Sequence, residues 1–243
     1  MEIIKLDAID STNSFLKELA QNTSLKNFTT VVAKQQLNGR GQMHTQWLSE
    51  ANKNLLFSCF YSFQNLEVQY QFYLNYAVSL SIFETLKKYK LPNLAIKWPN
   101  DILSEEQKIC GVLIENSIQS STVFSSIIGI GLNVNQTVFS STLTKVTSIK
   151  KEIQKNVDLD LLLKDLLFYL KKNITLLIEG EFTILKQAYL AQLYKKNIVS
   201  LFKDNQNRLF LGKIIGVSEM GKLEIELENK SIVTFGVKEV SFE

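Results

Sequence analysis

The chain has 243 residues, 45% of them hydrophobic, with 27 basic and 24 acidic side chains and a net charge of +3. That composition describes an ordinary globular protein with room for one large domain, or one large and one small, and excludes a disordered chain. So small a positive excess gives no reason to invoke nucleic acid or an anionic membrane, and two cysteines and one histidine are too few for a disulfide framework or a four-ligand structural zinc site.

Glu2–Asp10 reads as a short strand, and Asp10 to Asn13 offer N-cap side chains to a helix carrying Phe15, Leu16, Leu19 and Ala20 at helical spacing. Phe28–Gln36 is a strand. Leu37–Asn52 is polar, glycine-bearing and long for a loop in a compact domain, which favours a functional role. Leu55–Tyr61 is an apolar strand and Gln71–Lys88 a helix. Ala95–Trp98 is a strand that meets Pro99, with Asn100-Asp101 as a turn signal. Lys108–Ile118 and Thr122–Val134 form a hairpin, Asn135–Asn156 reads as a loop, Asp158–Ile178 as an amphipathic helix capped by Asp158, and Phe182–Leu193 as another helix. From Asn197 to Phe242 apolar and polar residues alternate between turn signals, the pattern of about five short strands in a small β-barrel. The expected domains are 1–194 and 195–243. No apolar run approaches the ~18 residues of a membrane span, and no signal peptide precedes Met1, so a cytoplasmic location is expected.

Common nucleotide devices are absent. Gly216 to Lys222 has phosphate-loop spacing, but Leu223 stands where a magnesium-binding hydroxyl is needed and no helix follows. Four other segments carry chemistry. In Gln36-Leu-Asn-Gly39-Arg40-Gly41-Gln42, two glycines let the backbone approach a ligand, and Arg40 offers a fork for a carboxylate or phosphate. All the basic residues are lysine except Arg40 and Arg208, so arginine between two glycines is conspicuous. Lys97-Trp-Pro-Asn100-Asp101 places a cation, an amide and a carboxylate at a strand end; Asp101 is a candidate ligand for a hard divalent cation. Lys108 opens an apolar strand interrupted by Gly111, and Gly129-Ile-Gly131-Leu-Asn133 repeats the theme of glycines in a strand. The plain alternatives are a surface turn, a proline-stiffened turn, a solvated lysine and a β-bulge. His44 reads as a loop histidine without special role, and Cys59 and Cys110 as small core residues.

Taken in order with Ser11-Thr12-Asn13, these segments resemble the biotin protein ligase family in its short form without an N-terminal DNA-binding domain. The matching motifs are Ser-Thr-Asn, Gln-x-x-Gly-Arg-Gly with Trp47 beyond it, Lys-Trp-Pro-Asn-Asp, Lys-x-x-Gly-x-Leu-x-Glu from Lys108 to Glu115, and Gly-x-Gly-x-Asn. The resemblance implies an α+β fold: a mixed, mostly antiparallel sheet packed with helices, of the class II synthetase-like or biotin-lipoate ligase type, plus an SH3-like C-terminal barrel. It implies a Mg²⁺-dependent reaction of biotin with ATP to biotinyl-5'-adenylate, then transfer to a lysine of a biotin carboxyl carrier domain. By the same resemblance, Ser11, Thr12 and Gln36 hold the ureido ring. Gly39, Arg40 and Gly41 wrap biotin, Lys108 stabilises the reacting groups, and Gly111, Leu113, Gly129 and Gly131 line an apolar floor. Arg40, Gln42, Trp47, Lys97, Asn100, Asp101, Lys108 and Asn133 serve ATP, with Arg40, Lys97, Asp101 and Lys108 catalytic and Asp101 on the metal; Gln136–Ser148 orders over adenine.

The chain departs from many members at Gln42 and His44, where a basic residue and a glycine are usual. Only ten residues precede Ser11, so neither DNA binding nor repressor activity is expected, and either a monomer or a homodimer fits. The competing readings are a lipoate or octanoate ligase or transferase of related fold, and a non-catalytic binding module built on the C-terminal barrel.

Overall fold

The computed structural model describes residues 2–243, and the side chain of His44 lies outside the described part. Strand β1 (Ile3–Ile9) and strand β2 (Thr30–Gln36) run parallel, joined by helix α1 (Thr12–Asn22). Ser11 caps α1, its side chain accepting from the Ser14 amide, one of the donors a helix start leaves unpaired. The sheet continues with antiparallel pairs through β3 (Leu55–Glu67), β4 (Ala95–Lys97), β5 (Asp101–Ser104), β6 (Gln107–Gln119) and β7 (Thr122–Leu132). These seven strands stand in the order β1-β2-β3-β7-β6-β5-β4.

Alternation along β3 divides the molecule into two layers. Leu55, Phe57, Cys59, Tyr61 and Phe63 join the main core, which they share with α2 (Gln71–Lys88), α4 (Leu159–Ile178) and α5 (Phe182–Ala191). Phe60, from the opposite face, packs with Leu16 of α1, Val31 and Ile127 in a smaller cluster. Each fully buried leucine or isoleucine contributes about 1.5–3 kcal/mol through removal of apolar surface from water. Asp158 caps α4 as expected, accepting from the amides of Asp160 and Leu161.

Three boundaries differ from the sequence reading. β5 begins at Asp101, read as part of a turn, and continues through residues 102–104, to which the sequence reading gave no element. β3 runs past Tyr61 to Glu67 after a break in register near Ser62. A short helix, α3 (Ile149–Ile153), lies inside the segment read as a loop, capped by Ser148 with Ile149 fully buried.

The C-terminal strands β8 (Val199–Asp204), β9 (Leu209–Val217), β10 (Leu223–Leu227), β11 (Ile232–Phe235) and β12 (Val240–Phe242) form a second, antiparallel sheet in the order β11-β10-β9-β8-β12. This is consistent with the small SH3-like unit expected, although among the described residues no ladder closes β11 onto β12. The sheet is tied to the larger one: Trp98 Nε1 donates to the Gly221 carbonyl at 3.1 Å. Among the described residues, no helix is long and apolar enough to cross a membrane.

Candidate active site

On the α1 face of the large sheet, β6 and β7 present bare backbone at Gly111, Gly129 and Gly131. Gly111 is the cross-strand partner of Gly131, and Leu113 that of Gly129; Ser58 of β3 pairs with Gly129 from the other side. The result is a cleft of about 410 Å³. Its roof is the 37–52 loop. Trp47 lies across the glycines so closely that a Cβ at Gly131 would stand 2.5 Å from the indole and one at Gly111 2.9 Å from it. The loop is held by Trp47 N–H donating to the Gly39 carbonyl at 2.8 Å and by a bridge between Arg40 and Gln46. Gly39 serves the loop itself, since a Cβ there would meet the Trp47 carbonyl at 2.5 Å. Gly129 lines the cleft, but the room left by its missing side chain is filled by the carboxamide of Asn13.

One end of the cleft is polar and buried. Ser11, Thr12 and Asn13 begin α1, and Gln36 ends β2 beside them. Thr12 N–H donates to Gln36 Oε1 at 2.8 Å, and the Thr12 hydroxyl is 3.0 Å from the same oxygen. Behind Thr12, the fully buried Ser58 hydroxyl lies 2.7 Å from Thr12 Oγ1 and 2.5 Å from Asn13 Oδ1. Asn13 Nδ2 donates to the Leu113 carbonyl at 3.3 Å and to Glu115 Oε2 at 2.8 Å.

Cations line the middle. Arg40 reaches back to the α1 wall, Nη2 donating to Glu115 Oε1 at 2.9 Å and Nη1 to Ser14 Oγ at 3.1 Å. Burial pushes the Glu115 carboxyl up, but hydrogen bonds from Asn13 and Arg40 and the charges of Arg40 and Lys17 leave it below the ordinary carboxylate range. Lys108 pairs with Asp101 at 2.7 Å and lies 5.7 Å from the centre of the Trp47 ring. Lys97 is set apart: it does not line the cleft, and its ammonium stands 5.9 Å over the ring of Phe242 in the second sheet. Burial pulls its pKa down, the Asp101 charge opposes that, and Lys108 and Lys145 add to the fall.

The far end holds amides. Asn100 lines the cleft, but its Nδ2 donates to the Val112 carbonyl at 2.6 Å, so half of this carboxamide fixes the turn after Pro99. Asn133 Nδ2 donates to the Thr147 carbonyl at 3.0 Å, while its Oδ1 is buried and has no hydrogen-bond partner among the described residues. Phe139, Leu143, Thr144 and Lys145 bring the 136–148 segment to the same rim, and Gln42 and Gly41 face it from the loop. Lys238, in the turn between β11 and β12, crosses from the second sheet, with Nζ 3.3 Å from the Met43 carbonyl and 3.5 Å from that of Gln42.

A magnesium ion fits this donor set in one way. Among the described residues, no three His, Cys, Asp or Glu side chains converge. Asp101 supplies a single half-buried carboxylate, and Mg²⁺ commonly takes one carboxylate and completes its shell with nucleotide phosphates and water.

The structure thus gathers Ser11, Thr12, Gln36, Arg40, Gly41, Gln42, Trp47, Asn100, Asp101, Lys108, Gly111, Leu113, Gly129, Gly131 and Asn133 around one cleft, which Lys97 and Gly39 do not line. Sequence reasoning gave no role to Asn13, Glu115, Ser58 or Lys238. Asn13 and Glu115 stood in the quoted motifs and could have been asked for a task; Ser58 and Lys238 carried no signal.

The chain is similar to known proteins. The sequence model of the biotin/lipoate A/B protein ligase family matches residues 6–133. A relative from Bacillus spizizenii, the bifunctional ligase/repressor BirA, is 29% identical over 230 residues, covering 93% of this chain and 70% of that protein. A biotin–[acetyl-CoA-carboxylase] ligase from Paracoccus denitrificans is 32% identical over 127 residues, 51% of each chain. The structure of a biotin protein ligase from Aquifex aeolicus in complex with biotin and ATP superposes with a TM-score of 0.81 at 28% identity, covering 100% of this chain and 98% of that one.

Proposed function

Because the chain belongs to the biotin/lipoate A/B protein ligase family and is an enzyme of the biotin ligase type, we propose that it activates biotin with ATP and transfers it to a lysine of a carrier protein. In the first step a biotin carboxylate oxygen attacks the α-phosphorus of ATP, and pyrophosphate leaves. In the second, a neutral lysine amine of a biotin carboxyl carrier domain attacks the acyl carbon; AMP leaves and the amine gives up a proton.

The observation that carries this reading is the placement of the Lys108 ammonium, held by Asp101, at the glycine floor between the polar and the amide ends of one cleft. The first step brings two anions together, so fixed cations aimed at the forming bond are the main catalytic need. Lys108 meets it from the floor and Arg40 from the loop, while Lys97 raises the positive potential from behind. Mg²⁺, held by Asp101 and the nucleotide phosphates, would withdraw further charge from the transferring group.

Thr12, Ser11 and Gln36 present hydroxyl and amide groups suited to a ureido ring, which offers two N–H donors and one carbonyl. The missing side chains at Gly111 and Gly131 let the Trp47 indole settle onto the floor, and the remaining cleft beside it would take the bicyclic ring and alkyl chain. A mixed anhydride hydrolyses readily, and a loop that roofs the cleft excludes water from it. Asn100 and Asn133, which line the far end of the cleft, suit the adenosine end of the nucleotide.

Pyrophosphate–ATP exchange with Mg²⁺ and, in turn, biotin, lipoate and octanoate tests the reading. Biotin-dependent exchange is the expected result. Exchange with lipoate or octanoate alone would overturn the substrate, and none with any acid would overturn adenylate chemistry.

A further inference from the structure

Glu115 accepts two hydrogen bonds that lead in opposite directions: Oε1 takes Arg40 on the loop, and Oε2 takes Asn13 on the buried polar wall. Building on the ligase reading, we propose that Glu115 is a positioning residue for the reaction. One of its oxygens fixes the Arg40 guanidinium over the cleft, and the other sets, through Asn13, whether Ser58 donates its proton to Asn13 or to the Thr12 hydroxyl.

Counting donors shows how. The Leu113 carbonyl and the ionised Glu115 carboxylate can only accept, and both face one end of the Asn13 side chain. That end must be the NH2, so Asn13 Oδ1 must face Ser58 at 2.5 Å. Ser58 has one proton, and Asn13 Oδ1 claims it. Ser58 Oγ, wholly buried, then turns lone pairs toward Thr12 Oγ1 across 2.7 Å, and the single Thr12 proton stays inside the wall, on Ser58 Oγ or on Gln36 Oε1 at 3.0 Å. Thr12 Oγ1 is left with a lone pair toward the cleft, beside Gln36 Oε1, which already accepts the Thr12 amide. The wall becomes a pair of acceptors, the complement of a ligand that offers N–H donors. A polar network this deeply buried has little freedom to rearrange around a wrong ligand.

The isosteric substitution Glu115→Gln keeps the shape and removes one acceptor. Its amide NH2 must face either Arg40 or Asn13. Against Asn13, the Asn13 carboxamide turns over and presents NH2 to Ser58, so Ser58 gives its proton to Thr12 Oγ1 and occupies one of the two lone pairs that Thr12 can offer a ligand. Against Arg40, two donors meet and the guanidinium is released.

The test is pyrophosphate–ATP exchange by the full chain, measuring KM for biotin and for ATP in wild type, Glu115→Gln, Ser58→Ala and the double variant, with thermal unfolding to confirm folding. Each single variant should raise the biotin KM about tenfold, the size of one lost or mispaired buried hydrogen bond. Ser58→Ala should leave the ATP KM unchanged. Glu115 and Ser58 meet only through Asn13, so a relay makes the double variant at least about fivefold less impaired than the product of the singles. Multiplying effects, or a Ser58→Ala protein with the wild-type biotin KM, would overturn the proposal alone. Absence of biotin-dependent exchange in wild type would overturn the ligase reading and the proposal with it. If Ser58→Ala does not unfold cooperatively, Ser58→Cys, a weaker donor of similar shape, replaces it on the same readout.

Discussion

Asp101 Oδ1 and Lys108 Nζ stand 2.7 Å apart on neighbouring strands, with the two side chains 27% and 38% exposed. An ion pair that wet adds about 0–1 kcal/mol to stability, so this one is better explained by what it points at. Lys108→Ala should lower the rate of biotin-dependent exchange by about 10²–10³-fold, the effect of removing one preorganised charge from a transition state. The melting temperature should change by little. Lys108→Arg should not restore the rate, because a planar fork cannot replace a point charge on a narrow glycine floor. Quenched-flow measurement of adenylate formation checks all three, and an active Lys108→Ala protein would refute the role.

Lys97 predicts the reverse balance of stability and activity. Burial holds its pKa below the usual 10.5, so the folded state disfavours the charged form. The penalty is fully present below the folded pKa and disappears as pH rises through it toward the unfolded value. Lys97→Met should therefore melt no lower than wild type at pH 7, with any gain shrinking toward pH 10.5. Adenylate formation should fall by about tenfold or more, since a cation behind the cleft is lost. Calorimetry across this pH range, beside exchange assays, separates the two effects.

The close approach of Trp47 to the floor can be read by light. The chain has two tryptophans, so Trp98→Phe leaves Trp47 as the reporter. Gly131→Ala in that background places a methyl 2.5 Å from the indole and should push it off the floor. Emission should move to the red and biotin binding weaken by about tenfold or more, as for an overpacked site. Unchanged emission would show that the roof does not rest on the floor.

Both cysteines should be silent in the folded protein. Cys59 and Cys110 are fully buried, and burial pushes the Cys59 thiol up to about 12 and the Cys110 thiol higher still. Thiolate is the reactive form, so labelling by an aromatic disulfide should wait for opening of the sheet and follow the unfolding equilibrium in denaturant. Rapid labelling of native protein would place a cysteine at the surface.

The sequence disclosed the large elements because their periodicity is strong. α4 repeats leucine on its buried side behind a clear cap, and β6 and β7 are apolar enough to read as one hairpin. β5 was hidden by its neighbours: the turn signal of Pro99-Asn100-Asp101 runs straight into it, and a register break between Ile102 and Leu103 leaves four residues without clean alternation. α3 is too short for its spacing to show. At the site, glycines and cations were legible because such residues are unusual in apolar strands. Ser58 was not, since one serine in a strand is ordinary until Asn13 and Thr12 are seen on either side of it. The separation of Lys97 from the cleft was equally hidden, because it depends on where Phe242 lies.

The contact of Lys238 with the carbonyls of Gln42 and Met43 joins residues 196 and 195 positions apart. Translation makes the glycine loop first and its clasp much later. Until the second sheet is made, the loop has its own fastenings, the Trp47–Gly39 hydrogen bond and the Arg40–Gln46 bridge, and lacks only the contact from Lys238. The last turn of the chain therefore adds a contact to a loop that was synthesised nearly two hundred residues before it.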